Sequence, residues 1–213
     1  MASITLVPNG YDSTKSSFSS ISTTYPITNA YDDSNSDTYA EISLKYGMGS
    51  VTSKLAINFD LSKVPSGATI NSVECKFKAN LVGSSYASLT GDAQLYSSAA
   101  MGSAVSMSKN SINVYTFSNT GSWTYDQLQN LYLLFTCTAG YSYGGTGNKL
   151  HLYGADLIID YTGGSTGPTE KLMVKQSGTW MNISNVYKKV NGTWVKQTNL
   201  SNLFDTSVNY VKG

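Results

Sequence analysis

Apolar and polar residues alternate most cleanly between positions 54 and 81. Leu55, Ile57, Phe59 and Leu61 alternate with Ala56, Asn58 and Asp60, a period of two that predicts a strand with one buried face. Pro65-Ser66-Gly67-Ala68 predicts a turn. Beyond it, Val73, Cys75, Phe77, Ala79 and Leu81 alternate with Glu74, Lys76, Lys78 and Asn80, the clearest amphipathic strand of the chain. Shorter patterns predict strands at residues 4–8, 39–44, 93–96, 114–117, 132–138, 150–153 and 155–161. Residues 11–38, rich in Ser, Thr, Asp and Asn, predict long loops or short irregular strands. One short helix is expected near residues 125–130. Thr124 at its N-cap and Gln127 three residues on form a capping box, with Leu128 and Leu131 turned inward.

The C-terminal part repeats itself. Leu172-Met173-Val174-Lys175-Gln176-Ser177-Gly178-Thr179-Trp180 recurs 14 residues later as Val186-Tyr187-Lys188-Lys189-Val190-Asn191-Gly192-Thr193-Trp194. Each copy holds two strand-like runs split by Ser-Gly or Asn-Gly. Asn-Gly between alternating residues signals a hairpin, because a type I′ turn needs positive φ at both central positions. The tail therefore predicts a small meander of tandem hairpins, with Trp180, Trp194 and Tyr187 as the core of an attachment module. Ligand stacking is the competing role for the two tryptophans. Gly163-Gly164-Ser165-Thr166-Gly167-Pro168 is a linker by composition. The expected organisation is a β-sandwich over 1–162, a linker over 163–168 and a hairpin-repeat module over 169–213. So short a module has little core of its own and must pack on the sandwich, a neighbouring protomer or a partner.

Composition narrows the function. Helix formers are scarce, which places the chain in the all-β class. All 14 cations are lysine, with no arginine, and the formal net charge is +1. A nucleic-acid partner is not expected, since the bidentate phosphate and base contacts of arginine have no source. No run of 18 apolar residues exists to span a membrane, and the N-terminus lacks the charged and apolar regions of a secretory leader. Cys75 and Cys137 sit on apolar faces of separate strands and are expected as buried, reduced thiols. His151 is the only histidine and is read as a structural residue on a strand face, so a His-based zinc site has no material. Asp60, Glu74, Asp156 and Asp160 occupy polar positions of amphipathic strands, where carboxylates are usually solvated. No phosphate loop, nucleophile elbow or Cys-x-x-Cys is present. A non-enzymatic protein is expected.

Two features carry candidate chemistry. In Asp32-Asp33-Ser34-Asn35-Ser36-Asp37, residues Asp33, Asn35 and Asp37 match the first ligand positions of a calcium loop, with Asp32 beside them. The pattern then departs, with Thr38 in place of the turn glycine and Leu44 in place of the bidentate glutamate. The segment reads either as a structural calcium site or as a loop of Asx-turns bonded to its own backbone. The second feature is Tyr141 and Tyr143 in the Gly/Ser-rich loop 139–147, with Tyr46 and Tyr86 as weaker counterparts. Such tyrosines suit sugar stacking, partner recognition or ordinary half-buried packing.

The run from Ala56-Ile57-Asn58-Phe59-Asp60-Leu61 through Pro65 to Gly67-Ala68-Thr69-Ile70, with Gly121-Ser122-Trp123-Thr124 and Leu152-Tyr153-Gly154-Ala155-Asp156-Leu157, resembles carbohydrate-binding-module-like jelly rolls. These recur in bacterial surface and phage structural proteins, and the resemblance covers most of residues 25–162. Val186–Val190 through Trp194 resembles repeats near the ends of phage tail and virion proteins. Together the two parts resemble capsid-decorating, head-fibre and tail-associated phage proteins. The resemblance implies a jelly-roll-like β-sandwich with, in many such modules, a structural calcium. It also implies a virion protein, assembled in the host cytoplasm as a homo-oligomer, that attaches to other capsid or tail proteins. The alternative it implies is a tail-associated adhesin or carbohydrate-binding module that recognises host surface glycans.

Overall fold

The structure, a computed structural model, describes residues 1–45, 47, 49–83, 88–119, 123–140, 147–165, 173–176, 179–182, 186–190 and 193–197. The chain divides into two compact units, Met1–Ser165 and Thr166–Gly213. In the first, β1 (Ala2–Leu6), β2 (Pro8–Tyr11), β3 (Ser20–Ile21), β4 (Ala40–Ser43) and β5 (Val51–Phe59) lead to the long β6 (Ser66–Val82). Then come β7 (Leu89–Tyr96), β8 (Ala100–Ser106), β9 (Asn113–Asn119), the helix α1 (Tyr125–Gln129), β10 (Tyr132–Ala139) and the long β11 (Lys149–Ser165).

These strands form two antiparallel sheets packed against each other, an all-β sandwich. The first sheet has the order β3-β4-β11-β6-β9, with β1 also paired to β11. The second has the order β2-β5-β10-β7-β8. The alternating residues of β6 do what their pattern predicts: Val73, Cys75, Phe77, Ala79 and Leu81 are all fully buried. Leu55, Ile57, Leu95, Leu133 and Phe135 face them from the second sheet's side of the core. Phe77 and Phe135 meet edge to face across the core, with ring centroids 5.3 Å apart at 87°. Burying each such ring contributes about 1.5–3 kcal/mol. The capping box of α1 is present in both halves: Gln127 N–H donates to Thr124 Oγ1 (3.1 Å) and Thr124 N–H donates to Gln127 Oε1 (2.9 Å). Leu128 and Leu131 are buried beneath it.

Strands β6 and β11 have 17 residues each and pair along almost their full length, from Lys149↔Val82 to Ser165↔Ser66. The structure corrects the sequence reading here. Ser66–Ala68, expected as a turn, belongs to β6, and Gly163–Ser165, expected as linker, belongs to β11. Gly164 makes this end pairing close: its φ is +80°, and an added Cβ would lie 2.9 Å from Ala68 and Pro65. The two strands expected at 150–153 and 155–161 are one strand, interrupted by a register shift between Leu152 and Gly154. Strand β8 had no counterpart in the sequence reading.

The other edge of β11 is shared by three segments. β4 pairs with Lys149–Leu152 and β1 with Leu157–Tyr161. Between them Asp32 supplies a backbone carbonyl to the Ala155 N–H at 3.0 Å. The loop passes so close that a Cβ on Gly154 would lie 2.1 Å from the Asp33 carbonyl oxygen.

In the second unit, β12 (Met173–Gln176) pairs with β13 (Thr179–Asn182), and β14 (Val186–Val190) with β15 (Thr193–Gln197). Each pair is its own two-stranded antiparallel ladder. The registers are equivalent: Lys175 stands opposite Trp180 and Lys189 opposite Trp194, while Tyr187 stands opposite Lys196. The side chains of Trp180, Trp194 and Tyr187 lie outside the described residues.

Replacing Gly154 by valine forces the Asp32–Ser34 loop off the sheet. We expect Gly154→Val to lower stability by about 2–3 kcal/mol through overpacking. In a thermal melt this reads as a fall in Tm of roughly 5–10 °C. Gly10→Ala, where an added Cβ meets nothing within 4 Å, is the control and should leave the Tm unchanged.

Candidate functional site

The outward face of the first sheet carries an aromatic and ionic ladder. Alternation along β4 and β11 turns Ile42, Leu150 and Leu152 into the core. Glu41 and His151 are thereby set opposite each other on the outer face. Glu41 Oε1 accepts from Lys149 Nζ at 2.8 Å, and Glu41 Oε2 lies 3.1 Å from His151 Nε2. The Tyr39 ring stacks on His151 at 4.2 Å and on Tyr25 at 4.6 Å, and meets Tyr153 tilted at 5.3 Å. Burial lowers the His151 pKa, and nearby Lys149 adds to this, outweighing Glu41, which pulls the other way. Burial also works to raise the Glu41 pKa, but hydrogen bonds from Lys149 and His151 prevail and hold it low. His151 is therefore a neutral ring that donates Nε2–H to a carboxylate at neutral pH.

The loop read as a calcium candidate lies beside this ladder. Asp32 Oδ1 accepts from the adjacent Asp33 N–H (2.9 Å), and Asp33 Oδ1 accepts from the Asn35 N–H two residues on (2.8 Å), an Asx-turn. Ser34 Oγ donates to Asp156 Oδ2 at 2.6 Å. Asp37 is taken by a lysine: Lys78 Nζ donates to Asp37 Oδ1 (2.9 Å) and to the Ser36 carbonyl (2.8 Å), and sits 5.0 Å from the centre of the Tyr153 ring. Lys78 accordingly lowers the Asp37 pKa. Among the described residues no three carboxylate, imidazole or thiol groups gather into a metal cluster. The bond from Asp33 to the backbone two residues on is the one the Asx-turn reading expects.

The second sheet carries a cleft of about 670 Å³. Four separate segments build it: Asn9 in β2 with Asp12 and Lys15 just after it, Asn58–Ser62 at the end of β5, Ser97 and Ser98 after β7, and Gln129–Tyr132 at the junction of α1 and β10. Tyr132 stands opposite both Asn58 and Tyr96 in the sheet, and the two tyrosine rings lie nearly parallel with centroids 5.8 Å apart. Lys15 places its ammonium 5.0 Å from the centre of the Tyr132 ring and pairs with Asp12. Hydrogen bonds from Lys15 and Thr14 hold the Asp12 carboxyl well below the usual carboxylate range.

Tyr46, Tyr86, Tyr141 and Tyr143 lie outside the described residues. Sequence reading missed both assemblies. The ladder was within reach, since Tyr39 and Glu41, and Lys149, His151 and Tyr153, are outward positions two apart on neighbouring strands. The cleft had no such signal. The two cysteines are free and buried, as expected. Burial pushes both thiols up, Cys137 to about 12.

No protein-family model matches the chain, and no curated protein matches it significantly.

Two outcomes are expected. Because the His151 pKa is lower folded than unfolded, its contribution to stability is present above its unfolded value near 6.5 and is lost as pH falls. Glu41, also lowered, adds a loss below its unfolded value near 4.5. The Tm should therefore decline from pH 7 to pH 5, and His151→Gln should flatten that decline. Ellman titration should find both thiols blocked in the native protein and reactive in guanidinium.

Proposed function

We propose that the protein is a non-enzymatic structural protein of a bacteriophage virion, a capsid decoration or head fibre, acting by multivalent attachment. The observation that carries this reading is the repeated register of the hairpins, which sets Lys175 against Trp180 and Lys189 against Trp194. Two-stranded hairpins are marginal alone in water and gain stability from a surface that completes them. Two equivalent hairpins suit contact with other virion proteins, and many copies on a symmetric scaffold let weak contacts add up. The jelly-roll-like sandwich is then the displayed body, with a homo-oligomer as the expected assembly.

The cleft chemistry supports a non-enzymatic reading. A glycosidase needs one carboxyl kept protonated as an acid opposite a second carboxylate. Asp12 is held ionised by Lys15 and Thr14, so it does not suit the acid's role. Buried free thiols agree with assembly in a reducing host cytoplasm.

Cryo-EM of virions from the phage that encodes the chain tests the proposal. Density for the sandwich on the capsid lattice is the expected result, and absence of the protein from virions would overturn it. The double variant Trp180→Ala/Trp194→Ala should fail to incorporate while the sandwich keeps its melting transition.

A further inference from the structure

We propose that the protein self-associates through β9. The β9 strands of two copies pair antiparallel about a two-fold axis at Thr116 and join their first sheets into one.

β9 is the outermost strand of the first sheet and, among the described residues, pairs only with β6. Its seven residues keep one unbroken register, from Val73↔Asn119 to Ala79↔Asn113. The other strands at the sheet margins are shorter or blunted. β2 contains Pro8 and a register shift, and β3 has two residues. β8 is broken by a register shift between Ala93 and Leu95 and carries Gly102 at a φ of +72°. β1 is five residues long. Natural edge strands are usually guarded by lysine, proline, a bulge or a covering segment. Asn113-Val114-Tyr115-Thr116-Phe117-Ser118-Asn119 has no charged residue, no proline and no bulge. Such an edge is a template for another strand.

Apolar exposure points to the same place. Val114 is 56 % exposed, and Ile112, just ahead of the strand, is 53 % exposed. The other exposed large apolar residues among those described, Met1, Val7 and Tyr25, stand singly. An apolar pair at an unguarded edge is a contact surface, whereas scattered single residues are ordinary.

The occupant is a second copy because the strand complements itself. A two-fold at Thr116 sets Thr116 against Thr116, Tyr115 against Phe117 and Asn113 against Asn119. Tyr115 and Phe117 lie on the core side of β9, beside Phe77 with ring centroids at 5.0 and 6.0 Å. The pairing therefore adds two aromatic cross-strand pairs and one threonine pair, all favourable neighbours in a sheet. The nearest charged positions lie one strand back on β6, where Glu74, Lys76 and Lys78 stand beside Ser118, Thr116 and Val114. The two-fold places Lys78 of one copy in the same row as Glu74 of the other, opposite in sign. Lys76 shares its row with its own counterpart, but three strand spacings, about 14 Å, separate them. That exceeds the screening length of about 8 Å at physiological salt. A single seven-residue strand pair is small beside the roughly 800 Å² per partner of stable complexes, so the dimer is weak and concentration-dependent. The proposal does not rest on the virion reading, since association in solution is independent of where the chain is housed.

The test oxidises the full chain carrying Thr116→Cys under mild conditions and follows the covalent dimer on non-reducing gels. Opposed residues of an antiparallel pair have Cα atoms about 4.5–5.5 Å apart, within disulfide range. Thr116 is exposed, and Cys75 and Cys137 are buried and do not compete. Val114→Cys is the register control, because the two-fold leaves the two Val114 positions about 14 Å apart along the strands. Thr5→Cys, exposed on β1, is the collision control. The expected result is a dimer from Thr116→Cys at least about tenfold faster than from either control. Sedimentation equilibrium of the parent from about 10 µM to about 1 mM should show a monomer–dimer equilibrium. Thr116→Lys, which sets two lysines face to face, should weaken that equilibrium about tenfold or more and leave the Tm of the monomer unchanged. Three results would each overturn the proposal: Thr116→Cys cross-linking no faster than the controls, a parent that stays monomeric throughout, or a dimer that survives Thr116→Lys. The last of these places self-association elsewhere in the chain.

Discussion

The sandwich depends on the antiparallel ladder between β6 and β11. Seventeen residues on each side give strands of about 56 Å at the usual rise, some three times the usual strand length. A ladder this long accumulates twist, and the register shifts after Leu152 and after Asp160 are where it is relieved. Everything else in the first sheet is measured from it: β9 lies along β6, and β4, the Asp32 loop and β1 share the free edge of β11. The buried row on β6 then supplies the surface against which the second sheet packs.

Both assemblies on the outer faces follow from that frame. The ladder of Tyr39, His151 and Tyr153 exists because β4 ends where the β11 bulge begins, leaving room for the acidic loop. Lys78 ties that loop to the sheet by donating to Asp37 and Ser36. Its ammonium thus partners one carboxylate of the acidic run.

The fold was legible where one face is buried and the other wet. β5, β6, β7 and β10 announce themselves by period-two alternation. β8 does not, because it is an edge strand exposed along nearly all its length, and no burial pattern constrains its residues. Gly154 misled for a different reason: a glycine between apolar runs looks like a break, yet it marks a close approach of two backbones. The cleft was illegible in principle. Asn9, Asn58, Ser97 and Tyr132 come from four segments whose sequence separation follows from sheet order alone. The acidic run had the opposite failing, a compact sequence motif whose side chains turn to their own backbone.

The pairing of β1 with β11 joins Ile4 to Ile159, the first strand of the sandwich to its last. Contacts of such long sequence separation make folding slow and dependent on nearly the whole unit being present. They also bring the two ends of the unit to one edge, the arrangement that tolerates circular permutation and insertion into a host protein. A label or fused domain placed ahead of Ala2 would leave the sandwich beside the point where the chain continues past Ser165.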